Sequence, residues 1–395
     1  MNLTDLCEVF TDGDWIESKD QSKDGIRLIQ TGNIGIGQFI EKDDKAKYIS
    51  IETFERLKCT EVFEGDILVS RLPDPIGRAC IVPNKTERMI TAVDCTICRP
   101  KADIIDREYL CYFMQSKTYY ERLFNNVTGT TRKRISRKNL GNVEIYVPSK
   151  EEQKIIVKKL NLLTKIISNR TKELSYLDNL IKARFVELFG DLMENPFNWP
   201  MKTIADVSLF LKSGLSRKLS DEDIGLPVIR SGNIQNGQFI FDNVKYWYKD
   251  DPQGANTKDY VLEDGDVLVN FINSSSQIGK TAIYRDTGRD CIYTTNIFRM
   301  KLADNCNEYY YNWFAMSDYY YRHLQNIIQP AVNQSSFTTV NFLKLPIPLP
   351  AKDKQNEFAE FVKQVDKSKV VVPSKIKYTI FAIMLSVSFG QITSI

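Results

Sequence analysis

The residues best suited to chemistry lie in a basic run with interleaved hydroxyls, GTTRKRISRK at residues 129–138. Arg132, Lys133, Arg134, Arg137 and Lys138 follow Lys117 and Arg122 there, with Glu121 the sole opposing charge. Guanidinium forks mixed with hydroxyls suit phosphate oxygens and guanine edges. A charge run is otherwise a solvated face, and the sequence leaves both readings open. Residues 329–339 (QPAVNQSSFTT) occupy the matching place in a second copy of the same pattern and carry no cation. Asn333, Gln334, Ser335 and Ser336 offer amides and hydroxyls that fit base edges, adenine in particular. Gln30 against Arg230, and Ser70-Arg71 against Asn270-Phe271, differ in the same way beside matching frames. Gln30, Arg71, Arg230 and Asn270 therefore join the candidate nucleic-acid contacts.

Other chemistries find little support. Cys95 and Cys98 form a lone CxxC in a strand-like run, and His323 is the one histidine of the chain. A zinc site needs four ligands, so strand packing is expected and no metal. Asn195-Pro196-Phe197 is similar to the loop with which adenine methyltransferases hold a flipped base. It lacks the second proline and sits in a linker. No GxxxxGK[ST] loop is present, so ATP is not expected to bind here. Asp12 with Glu17-x-Lys19 reads as a solvated loop, and His323, among tyrosines, reads as packing or surface.

The elements that would position these residues come from an internal duplication. Residues 25–40 (GIRLIQTGNIGIGQFI) and 225–240 (GLPVIRSGNIQNGQFI) agree at nine of sixteen positions, against about one in sixteen per position by chance. EGDILVS at 64–70 faces DGDVLVN at 264–270, and residues 139–148 face 341–350. A period near 200 residues is too long for a solenoid unit, so the 395-residue chain holds two domains. Each copy reads as strand, turn, strand through Gly-Asn, with Gly32 and Gly232 expected at positive φ. A Gly-Asp turn, a tyrosine-rich helical stretch (107–124 and 307–326) and a proline-ended exit (143–148 and 345–350) follow. Net charge is only +3, so the distribution of charge decides, not its sum. Eight scattered cysteines and a start without a basic, apolar leader suggest free thiols in the cytoplasm.

Between the copies, residues 150–189 contain no Gly or Pro and open on Ser149 with Glu152, a capping-box pattern. Alternating steps of four and three from Ile156 reach Leu160, Leu163, Ile167, Arg170, Leu174, Leu177, Ile181, Arg184 and Leu188. Seven of those nine are apolar, a coiled-coil seam that needs a partner helix. At about 1.5 Å per residue the stretch spans on the order of 58 Å, more than one turn of B-DNA at about 34 Å. The second copy supplies the partner: Gln153 matches Gln355, and Ile156, Leu160 and Leu163 match Phe358, Val362 and Val365. The match fails after about residue 369, where Pro373 precedes eighteen uncharged residues, 378–395. That tail just reaches the length of a membrane span, but its serines, Gln391 and Thr393 favour a truncated or frame-shifted helix, and no membrane association is expected.

In this order and spacing the chain resembles the DNA-specificity subunit of type I restriction–modification systems. The doubled GNI…GQFI and GDILVS/GDVLVN blocks carry the resemblance. So do the Val147-Pro148 exit into Glu151–Gln153, and IKARFVELFGD before NPFNWP. It implies an α+β fold class: two tandem mixed α/β target-recognition domains separated by long coiled-coil helices, with a pseudo-twofold internal repeat. The boundaries are 1–149 and 191–350 for the domains, 150–190 for the spacer and 351–395 for the altered second spacer. It also implies double-stranded DNA, two modification (methyltransferase) subunits and restriction (translocase and nuclease) subunits as partners. The chain itself would have no catalytic centre and no cofactor; S-adenosylmethionine, ATP and Mg would bind the partner subunits. A methyltransferase with drifted motifs and a duplicated protein-binding scaffold are the alternatives.

Overall fold

A computed structural model describes residues 1–125, 134–235, 237–330 and 334–369. Among these, residues 1–172 form one compact unit and residues 173–369 a second.

The first unit is built on an antiparallel sheet in the order Cys7–Asp12, Cys95–Pro100, Ile67–Ser70, Ala79–Ile81. A second sheet orders Tyr48–Ile49, Ile26–Ile29, Met89–Thr91, Glu61–Val62, with Ile26–Ile29 parallel to Met89–Thr91. Ile67–Ser70 is buried at every residue, as a strand covered on both faces must be. Ile67 and Val69 pack with Tyr109, Phe113, Tyr119 and Leu123 of the helices Arg107–Phe113 and Lys117–Phe124. Leu68, one residue out of phase, packs instead with Ile29, Val62 and Met89 of the second sheet. The period-two alternation of the strand thus separates two cores.

The second unit repeats this plan. Its antiparallel sheet runs Ser208–Ser213, Ile297–Leu302, Val267–Asn270, Thr281–Ile283. A smaller sheet holds Leu226–Ile229 between Lys245–Trp247 and, in parallel, Ile292–Tyr293. Even the irregularity is copied: the register slips between Cys7 and Val9 and again between Ser208 and Phe210. Each tyrosine-rich stretch is a pair of short helices, the second capped by Ser116 or Ser317. Tyr119 donates to the Gly77 carbonyl at 3.0 Å and Tyr320 to that of Gly279 at 3.1 Å, which is why these rings are tyrosines.

Three sequence expectations are corrected. Gly32 and Gly232 do not adopt positive φ; Gly37 (φ 71°) and Gly237 (φ 76°), the glycines of GQF, do. Arg71 and Asn270 are buried. The third concerns the helix Lys150–Phe189, which opens on the expected box: Ser149 N–H donates to Glu152 Oε2 at 2.9 Å, and Glu152 N–H donates to Ser149 Oγ at 3.3 Å. Its apolar seam is not one uniform helix–helix contact. Ile156, Leu160 and Leu163 pack into the first unit's core, beneath its two helices. Leu177, Ile181 and Leu188 pack in the second unit with Phe358, Val362 and Val365 of the helix Lys352–Lys369. Phe185 and Phe189, off the stepped series, are buried there too. Arg184 meets Glu357 at 2.6 Å and Asp178 meets Lys369 at 2.8 Å, so this helix pair is antiparallel. Ile167 and Leu174 are half-buried. The altered tail falls outside the described residues. Among the described residues no helix is long and apolar enough to cross a membrane.

Candidate nucleic-acid interface

The shared Gly-Asn of each copy is scaffold. Asn33 Oδ1 accepts from the Gln30 N–H at 3.0 Å, and its Nδ2 donates to the Ile40 carbonyl at 3.0 Å. Asn233 repeats this with Arg230 N–H at 2.9 Å and the Ile240 carbonyl at 2.8 Å, adding the Asp242 carbonyl at 2.9 Å. A buried amide that meets its donor and acceptors fixes the loop around it. The residue at position 30 or 230 stands at the loop's entry, free to vary.

Each loop borders a polar cleft. In the first unit a cleft of about 240 Å³ is lined by Gln30, Thr31, Gly32, Lys42, Lys45 and Lys47, among others. An adjoining one is lined by Gln30, Lys47, Lys19 and Trp15, and the Trp15 ring is 70% exposed. In the second unit the matching cleft, about 560 Å³, carries Arg217, Arg230, Gly232, Asn243 and Asn296. Beside it lies another, of about 480 Å³, lined by Ser231, Gly232, Gln235, Asn273, Gln277 and Lys280. Exposed Lys42 and Lys45 in the first unit, and half-buried Arg230 and Lys280 beside exposed Gln235 and Asn243 in the second, are groups suited to phosphate positioning and base-edge readout.

Gln30 and Arg230 are thereby placed on clefts, Arg230 with its guanidinium anchored to the Asn243 carbonyl at 2.5 Å. Arg71 is not: its guanidinium meets the Val93 carbonyl at 2.6 Å, the Ile135 carbonyl at 3.4 Å and Asp12 at 3.3 Å. Burial lowers its pKa, with Asp12 opposing that shift. Asn270 is likewise internal, donating to the Ser231 carbonyl at 3.3 Å. Both are corrected from contact residues to internal braces. Arg134 is exposed but tied to Asp94 at 2.7 Å, while Arg137 and Lys138 are exposed. Ser335 and Ser336 form a short strand against Ile272–Asn273, Ser335 buried, and Gln334 beside them is exposed. Arg132, Lys133 and Asn333 lie outside the described residues.

Sequence reasoning missed Lys42, Lys45 and Lys47, because EKDDKAK alternates its charges and shows no net run. It also missed Gln277 and Lys280. Lys280 matches Arg78, yet Arg78 is spent on the carbonyls of Thr31, Ile34, Leu72 and Pro75 at 2.7–3.1 Å. Lys280 is half-buried on the cleft.

The remaining motifs are structural. Cys95 and Cys98 are buried on opposite faces of their strand, one in each of the first unit's adjoining cores. Burial pushes the Cys95 thiol up to about 12. Among the described residues no cluster of His, Cys, Asp and Glu could hold a metal. Asn195 spends both ends of its amide on the main chain of Trp199, at 2.8 and 3.0 Å, which closes the linker turn. Glu17 pairs with Lys19 at 2.8 Å, while Asp12 accepts from Thr96 at 3.0 Å. His323 lies against the Tyr319 ring, centroids 4.5 Å apart.

A family model described as the type I restriction modification DNA specificity domain matches residues 1–176 and again residues 196–379. The chain belongs to that family. Within it, the chain is similar to the type I restriction enzyme MjaVIII specificity subunit of Methanocaldococcus jannaschii, 24% identical over 67% of this chain and 65% of that one. It is similar to the EcoKI specificity subunit of Escherichia coli, 21% identical over 69% of this chain and 61% of that one. A provisionally named MjaX specificity subunit of Methanocaldococcus jannaschii matches at 28% over 45% of this chain and 41% of its own length. The chain thus spans between about two-fifths and two-thirds of the lengths of these curated relatives. The fold is also that of the type I restriction–modification S subunit from M. genitalium, with a TM-score of 0.56 at 14% identity over 100% of this chain and 96% of that one. The α+β fold class of two tandem domains with a long helix between them is that of the family.

Proposed function

We propose that this chain is the sequence-specificity subunit of a type I restriction–modification assembly. Each domain reads one half of a bipartite site in double-stranded DNA. The helices set the spacing and dock two modification subunits, which restriction subunits can join. The observation that carries this reading is one scaffold built twice, down to the strand bulge and the Asn33/Asn233 clamp, with different chemistry on its clefts. Tandem readers on a stiff helix fix a half-site separation, and unlike clefts suit unlike half-sites. In this reading the chain has no catalytic role. S-adenosylmethionine, ATP and Mg act in the partner subunits, and the assembly works in the cytoplasm where its DNA is. The functional boundaries remain 1–149, 150–190, 191–350 and 351–395.

Methylome mapping of host DNA with this chain and its modification partner expressed is the direct test. A bipartite methylated motif that disappears without the chain is expected. Methyl transfer by the purified chain alone from S-adenosylmethionine would replace this reading with that of a methyltransferase.

A further inference from the structure

Glycine is kept in a folded chain for a positive φ, for a crowded Cβ position, or because something else approaches the backbone. Among the described residues Gly232 alone meets neither of the first two conditions: its φ is ordinary and a Cβ built there meets nothing within 4 Å. Its counterpart Gly32 also has ordinary φ, and the nearest atom to its built Cβ is the free end of Lys42, Nζ at 2.8 Å. The other described glycines have a positive φ or, at Gly13, Gly35, Gly141 and Gly214, a main-chain or ring atom within 3.0 Å of the built Cβ. Nothing inside either domain therefore requires glycine at these two positions, yet both copies have it.

Both glycines occupy the middle of a one-turn segment, Thr31–Asn33 and Ser231–Asn233, held from below by the asparagine clamp. Both border a cleft, and Gly232 borders two. The neighbouring charge is informative. Position 30 is Gln and position 42 is Lys in the first copy; the corresponding residues are Arg230 and Asp242 in the second. Each cleft thus keeps one cation from this pair of positions, although the position that supplies it has moved. Among the described residues the buried Arg230 Nε has no acceptor.

We propose that the Gly32 and Gly232 turns are paired contact points for a DNA strand. The sugar–phosphate backbone would press on the bare glycine, beside a cation supplied by Lys42 in one domain and Arg230 in the other. This rests on the reading of the chain as a DNA-specificity subunit and adds where each domain takes hold of the duplex. A side chain at Gly232 would hold the strand off the floor without disturbing the fold, since the space for its Cβ is open.

The test uses the full chain assembled with its modification subunits and a duplex carrying the mapped motif, with a scrambled duplex as control. Gly232→Leu is expected to keep the wild-type melting temperature and to lose about tenfold or more in affinity for the mapped duplex. Gly232→Ala should show the same loss in smaller measure. Arg230→Gln and Lys42→Gln should each lower the salt slope of binding by about one. Unchanged affinity of Gly232→Leu with a selective wild type overturns the contact point and leaves the specificity reading intact. A lowered melting temperature in Gly232→Ala overturns it too, because the glycine would then serve the fold. A wild-type assembly that does not distinguish the two duplexes overturns the specificity reading itself.

Discussion

The Arg71 guanidinium lies 3.3 Å from the Asp12 carboxylate, and the arginine is almost wholly withdrawn from water. Its other contacts, the Val93 and Ile135 carbonyls, join the turn between the strands Met89–Thr91 and Cys95–Pro100 to the basic run itself. In the second domain the matching residue is Phe271, stacked on Phe298 with ring centroids 3.6 Å apart. Two main-chain hydrogen bonds survive the exchange: Ile135 N–H donates to the Arg71 carbonyl as Phe337 N–H does to that of Phe271, and Arg71 N–H donates to the Asp94 carbonyl as Phe271 N–H does to that of Asn296. The same joint is therefore held by an ion pair in one copy and by an aromatic stack in the other. Arg71→Ala leaves the Val93 and Ile135 carbonyls short of a donor and Asp12 short of its counter-charge. It is expected to destabilise the first domain by about 3 kcal/mol, read as a lower urea midpoint. A variant with unchanged stability and lost DNA binding would return Arg71 to the contact set.

Gln153 and Gln355 start the two long helices and are fully buried. Gln153 accepts from Asp106 N–H at 2.7 Å and donates to the Ile104 and Pro148 carbonyls at 3.1 and 2.9 Å. Gln355 does the same with Asn307, Asn305 and Pro350, at 2.7, 3.0 and 2.8 Å. Leucine at either position strands three main-chain groups. Each substitution is expected to cost about 3 kcal/mol, measured by chemical denaturation, with glutamate a poor rescue because it cannot donate.

These cases mark what the sequence could and could not disclose. The duplication, the two domains and the long helix follow from spacing alone, because period and displacement are properties of the chain. Gln153 was visible as a matched position, but its three partners come from other parts of the chain. Arg71 looked like a reader because it differs between copies. A buried brace can differ just as freely when its neighbours change with it, as Thr96 and Phe298 show. Lys42 and Lys280 were hidden for the opposite reason: the first is masked by adjacent aspartates and the second by a match to an arginine that points inward.

Asp251 gives the second domain an acid-sensitive joint. It accepts from Arg217 at 2.5 Å, from the Trp247 indole at 3.2 Å and from the N–H groups of Gln253 and Ala255 at 2.9 and 3.2 Å. The Arg217 hydrogen bond, more than any other contact, holds its carboxyl well below the usual carboxylate range. A depressed folded pKa contributes stability that is complete above the unfolded value, about 3.9, and is lost as pH falls through the folded one. The gap in stability between the wild type and Asp251→Asn should therefore be widest above pH 5 and close as pH falls towards 2. Urea midpoints followed by tryptophan fluorescence across that range measure it. A gap independent of pH would mean that Asp251 acts through shape alone.

Arg137 and Lys138 remain the exposed cations of the basic run within the described residues, since Arg134 is tied to Asp94. Among the described residues Arg137 reaches only the Thr11 hydroxyl, at 3.5 Å, a contact too long to hold a guanidinium against a phosphate. Their helix, Arg137–Gly141, is capped by Ser136 and anchored by buried Leu140, so both charges can change sign without touching the core. If they meet the DNA backbone, the double variant Arg137→Glu, Lys138→Glu should weaken binding to every duplex by a similar factor and lower the salt slope by about two. The bases recognised would stay the same. Fluorescence anisotropy at a series of salt concentrations separates these outcomes. An unchanged slope would make the run a solvated face and leave phosphate contact in the first domain to Lys42, Lys45 and Lys47.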